Sequence, residues 1–206
     1  MQAARGASLN TSDQSNPQSQ PRSRRRYLWL FAAIAAVAFV TDVVTKIIAV
    51  DRLTGEPPVE LVGHYFSLYL TRNPGAAFST GTSYTVVLSG IAVVAVVAVL
   101  WTARRLGSVG WAIGLGCLLG GVAGNLSDRI FRSPGPFRGH VVDLFMFPNF
   151  PVFNVADICI NIAAGVIILQ ALRGVRVDGG RHEEPARDRE PRPATDPGAA
   201  GGGTRP

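Results

Sequence analysis

Cysteine is scarce in this chain of 206 residues; only Cys117 and Cys159 occur. Their spacing fits no metal-ligand pattern. Both fall inside apolar runs, Cys117 near mid-run and Cys159 close to the end of another, and different depths argue against a disulfide. Small apolar packing is the role expected of both. Charged residues make up only 17% of the chain, and the run 84–102 carries none. Aromatic and basic residues do not interleave outside the apolar runs, so the net charge of +6 does not read as nucleic-acid binding. No small-residue cleavage signal follows the first apolar run, 27–50, which is also too long for a signal peptide.

What the chain has is apolar length. Hydrophobic residues form 47% of it and gather in four runs, at about 27–50, 84–102, 109–130 and 153–172. A helix needs about 20 mostly apolar residues to cross a bilayer. Basic clusters flank these runs: RSRRR at 22–26, Arg104 with Arg105, and Arg173 with Arg176. With four spans they all fall on one side, which the excess of Lys and Arg marks as the cytoplasm, together with both termini. Residues 1–26 and 174–206 are expected to be disordered polar ends around a membrane domain at 27–173. The third run carries Gly110, Gly114, Gly116, Gly120, Gly121 and Gly124, which suits the close contacts of a central helix. Between the runs, 64–73 has the alternation of a strand or hairpin, 73–81 reads as a turn, and 131–152 reads as a loop in the membrane interface.

The polar residues inside the runs are few and one-sided. Asp42 and Lys46 share a helix face near the outward end of the first run. Asn125, Asp128 and Arg129 end the third, and Asn154, Asp157 and Asn161 share a stripe at the start of the fourth. Asn73 and Asp143 lie in the outward connections. A charge at mid-membrane costs roughly 3 kcal/mol on insertion scales, so such a set is normally retained for function. Asp157 sits where the positive end of a helix dipole favours negative charge. Asp143, fourteen residues earlier, can fold back over it. Two neighbouring carboxylates share a proton, so one can take a proton from water while the other donates to a carbonyl oxygen. Asp42 with Lys46 also fits a structural ion pair, and Asp128 with Arg129 fits a headgroup anchor. The same cluster could serve a proton-coupled transporter, or a non-enzymatic assembly protein. Against transport, the cytoplasmic halves of the runs hold almost no polar side chain beyond Ser, Thr and Cys.

Five ordered motifs decide among these readings: DVVTK at 42–46, NPGAAFS at 73–79, GGVAGNLSDRI at 120–130, GHVVDLF at 139–145 and PVFNVAD at 151–157. Together they resemble the lipoprotein signal peptidase (signal peptidase II) family of bacteria, over about 27–173. The resemblance implies an all-α integral membrane protein. It would have four transmembrane helices, a small extracytoplasmic β-rich cradle built largely from 51–83, and a short interfacial helix. It also implies Asp143 and Asp157 as catalytic residues, supported by Asp42, Lys46, Asn73, Asn125, Arg129 and Asn154. The substrate implied is a prolipoprotein cut on the amino side of a diacylglyceryl-modified cysteine. No metal or organic cofactor is implied, and the cyclic peptide globomycin is the expected inhibitor. The protein is expected to work as a monomer in contact with membrane phospholipid. Leu144 departs from a position where the family often has Phe. Gly75, with Ala76 and Ala77, suggests close backbone approach to the substrate.

Overall fold

The computed structural model describes residues 20–75 and 84–181. Four helices are long and apolar enough to cross a membrane: α1 (Gln20–Leu53), α2 (Tyr84–Ala103), α3 (Val109–Phe131) and α4 (Val155–Leu172). Their outer faces are apolar, with Val87, Ile91, Val94 and Ile168 exposed, while Asp42, Lys46 and Asn154 are fully buried. A surface greasier than its interior is what a lipid solvent selects.

Helix α3 packs along α1, α2 and α4. Its glycines make this possible on two faces. A Cβ at Gly120 would meet the Ala38 Cβ of α1 at 2.5 Å, and one at Gly121 would meet the Ala156 carbonyl of α4 at 2.6 Å. Dispersion contact between backbones, rather than hydrophobic exclusion, then holds the helices together. Gly110 faces Gln170, Gly114 faces Val166, and Gly121 faces Cys159, so α3 and α4 run antiparallel. This register brings Cys117 and Cys159 to one apolar groove, lined also by Ile34, Val37 and Val155. The expected difference in depth is therefore smaller than the sequence suggests, although both thiols are free.

A three-stranded antiparallel sheet caps one end of the bundle, in the order β1 (Val59–Val62), β2 (Phe66–Asn73), β3 (Val141–Met146). Of the strand or hairpin expected at 64–73, that stretch forms the single strand β2, whose hairpin partner β1 precedes it. The stretch 131–152, read as a loop, contributes β3, so the chain is not purely helical. The reason is non-local: VVDLFM pairs with a strand about seventy residues earlier, placing Thr71 opposite Asp143. Leu144 packs with Ala49 and Leu53 beneath the sheet, and Phe66, Phe145, Phe147 and Phe153 stack beside it. No short interfacial helix occurs among the described residues. Ala76 and Ala77 lie outside them, as do 1–19 and 182–206.

The opposite end differs from expectation in two places. Helix α1 starts at Gln20, so RSRRR continues the helix instead of preceding it. Residues 174–181 form an ordered strap against the α2–α3 turn. The Gly107 N–H donates to the Val177 carbonyl at 2.9 Å, the Trp111 indole donates to the Val175 carbonyl at 2.8 Å, and Val175 bridges Arg181.

Candidate active site

The polar residues of α1, α3, α4 and the sheet meet in one network beneath β3. Asn154 is its hub. As the N-cap of α4 its side-chain oxygen accepts the Asp157 N–H at 3.1 Å, while the Asp157 carboxylate accepts the Asn154 N–H at 3.2 Å. This reciprocal capping satisfies two orphan donors and fixes the Asp157 rotamer. The Asn154 amide nitrogen then donates to Asp143 Oδ1 at 2.6 Å. The other Asp143 oxygen accepts from Asn73 at 3.1 Å, and Asn73 in turn accepts the Gly75 N–H at 2.8 Å. The second Asp157 oxygen accepts from the Asn125 amide at 3.0 Å. Each aspartate is therefore held by an asparagine of its own, and Asn154 touches both.

Behind this layer lies a buried charge cluster. The Lys46 ammonium sits 2.7 Å from Asp42, 3.0 Å from Asp128 and 2.8 Å from the Asn125 oxygen. The Asn125 oxygen accepts a hydrogen bond from it, and the two carboxylates balance its charge. Asp42 also accepts the Ala156 N–H at 2.8 Å, at the first turn of α4. Asp128 accepts the Val142 N–H of β3 at 3.1 Å, and Arg132 pairs with its other oxygen. One cluster thereby ties α1, α3, α4 and β3 to a common point. Asp128 is buried, so it is not a headgroup anchor. Arg132 escaped the sequence reading, although its spacing of four from Asp128 could have signalled it.

Arg129 behaves differently. Its guanidinium forms no ion pair among the described residues, one of its nitrogens is buried without a partner, and it lies beside Gly75. Gly75 has a φ of 107°, where only glycine is unstrained.

Asp143 and Asp157 line the same cleft, of about 490 Å³, with Asn73, Phe150, Phe153, Ile158 and Asn161 around them. The Asp143 side chain is 2% exposed. Burial raises its pKa to about 6, and the nearby Asp157 charge adds to that, while hydrogen bonds from Asn73 and Asn154 oppose it. A buried carboxyl with a perturbed pKa in an apolar cleft, beside a second carboxyl, is suited to acid–base chemistry.

A family described as signal peptidase (SPase) II matches this chain over residues 34–173. A lipoprotein signal peptidase of Mycolicibacterium smegmatis is 45% identical over 188 residues, covering 90% of this chain and 79% of its own. One from Rhodococcus jostii is 48% identical over 162 residues, covering 79% of this chain and 81% of its own. The chain belongs to the signal peptidase II family. It is accordingly a peptidase, and a bacterial multi-pass membrane protein. Two solved structures of bacterial membrane enzymes share the fold of this signal peptidase. Their TM-scores are 0.61 and 0.62 at 23% and 24% identity, covering 75% and 69% of this chain and 93% and 92% of theirs.

Proposed function

We propose that this signal peptidase II is an aspartyl endopeptidase that removes the signal peptide from diacylglyceryl-modified prolipoproteins, cutting just before the lipidated cysteine. The observation that carries the reading is the cleft shared by Asp143 and Asp157, with Asn154 hydrogen-bonded to both. Asp143, whose carboxyl is raised to about 6 by burial, acts in its protonated form and donates that proton to the scissile carbonyl oxygen. Asp157 takes a proton from the attacking water. The water oxygen bonds to the carbonyl carbon, giving a tetrahedral intermediate. Proton return to the leaving nitrogen then breaks the C–N bond. No covalent acyl-enzyme arises, because the set offers no paired Ser or Cys nucleophile with a base.

Asn73, Asn125 and Asn154 hold the carboxylates, while Arg129 and Gly75 meet the peptide backbone. Asp42, Lys46 and Asp128 fix the three helices and β3 around them. The site end of the bundle faces the extracytoplasmic side, with both termini cytoplasmic. The acyl chains remain in lipid, where about 0.8 kcal/mol per buried methylene keeps the cleavage site at the interface. The protein acts as a monomer, needs no cofactor and is inhibited by globomycin.

Purified protein in detergent, given a diacylglyceryl-modified prolipoprotein, tests this. Wild type should cleave, and folded Asp143→Asn and Asp157→Asn should each lose at least a thousandfold, the order seen when one member of a catalytic pair is removed. Cleavage persisting in either variant would reduce that residue to a supporting role.

A further inference from the structure

The bundle carries a second built cleft at the end opposite the aspartates. It has a volume of about 400 Å³ and lies between the end of α2, the start of α3 and the strap 174–181. Trp101 and Trp111 form its apolar walls, and Arg105 and Arg176 supply positive charge. The third tryptophan, Trp29, lies at the same end of the bundle, so all three tryptophans of the chain mark one bilayer level. The strap falls beyond the stretch matched by the family, which ends at residue 173.

The components are already arranged around a docked backbone. The Arg105 guanidinium lies 5.3 Å from the Trp101 ring centre, and Arg176 pairs with Asp178 at 3.1 Å. Two guanidiniums and one carboxylate leave the lining with one net positive charge. That matches one phosphodiester. Trp101 is 60% exposed on the face where lipid would lie, which places an acyl chain beside the ring while the phosphate reaches the arginines. Arg104 and Arg173 flank the cleft and add to the field.

We propose that this cleft binds the headgroup phosphate of an anionic phospholipid in the leaflet at the terminal end of the bundle. The phosphate oxygens accept from Arg105 and Arg176, and the glyceryl and acyl portions lie against Trp101. Bound there, the lipid holds the strap to the α2–α3 turn. The site is separate from the peptidase cleft and does not depend on the catalytic reading.

The test uses the full chain in vesicles of phosphatidylcholine containing a minor fraction of phosphatidylglycerol. Tryptophan quenching by brominated phosphatidylglycerol is compared with quenching by brominated phosphatidylcholine. Wild type should prefer the anionic lipid. Arg105→Gln and Arg176→Gln should each lower that preference about fivefold. Asp178→Asn should raise it, and that opposite sign does not arise from misfolding. Arg52→Gln, which changes an exposed arginine at the other end of the bundle, should leave it unaltered. An equal loss with Arg52→Gln, or no loss with the cleft arginines, would overturn the proposal. So would suppression of the preference by excess inorganic phosphate, which would make the cleft a site for soluble anions.

Discussion

Replacing Lys46 with Met withdraws a single cation from between two buried carboxylates. The ammonium lies 2.7 Å from Asp42 and 3.0 Å from Asp128, and the residue is fully buried, so water does not replace it. Met is unbranched and apolar with a similar reach, so the packing loss is small and the effect is electrostatic. Asp128 keeps Arg132 and the Val142 N–H. Asp42 keeps only the Ala156 N–H. Breaking a buried pair from one side costs about 3–5 kcal/mol. For a chain of this length that corresponds to a fall in melting temperature of roughly 10 °C. Thermal unfolding in one detergent would compare wild type, Lys46→Met and the double variant Asp42→Asn with Lys46→Met. The double variant should regain most of the lost stability, because an Asn at 42 removes the stranded charge and still accepts from Ala156. Its cleavage should stay below wild type, because Asn125 loses the shorter of the two bonds to its side-chain oxygen and is held toward Asp157 by the Asn154 amide alone. A Lys46→Met protein melting within about 1 °C of wild type, or a double variant no more stable than the single, would refute the electrostatic account.

The other predictions concern the dyad and its rim. Asn154→Ala removes the cap of α4 and the link between the aspartates, so it should cost about 1 kcal/mol in unfolding experiments and far more in kcat than in KM. Asp143 is raised to about 6 in the folded protein against about 3.9 in the unfolded chain, so between those pH values the folded state binds the extra proton. Its contribution to stability is therefore complete below about pH 4 and lost as pH rises through about 6. The melting-temperature difference between wild type and Asp143→Asn should change across that window, and a constant difference would remove the argument. Gly75→Leu should lower cleavage while the protein stays folded in the membrane, since a Cβ there is strained and would meet Leu88 at 2.5 Å. Unchanged turnover would free Gly75 of any role.

Much of this arrangement is written locally. Four apolar runs of spanning length specify four helices because a bilayer leaves the backbone no other partner. The glycines of 110–124 mark α3 as central because only a helix without side chains on two faces can approach two neighbours. Asp42 with Lys46, and Asn154 with Asp157, are pairs four and three residues apart, so helix geometry alone brings them together. What the chain could not show locally is which distant groups share a point. Asp143 reads as a loop residue until β3 finds β2. Asp128 reads as an interfacial anchor until Lys46, on another helix, reaches it. The two cysteines read as separated until the α3–α4 register is set, and residues 174–181 read as part of a tail until they close on the α2–α3 turn. Periodicity fixes the face on which a residue lies, whereas strand pairing and helix register, which depend on partners far away in the chain, fix what that face meets.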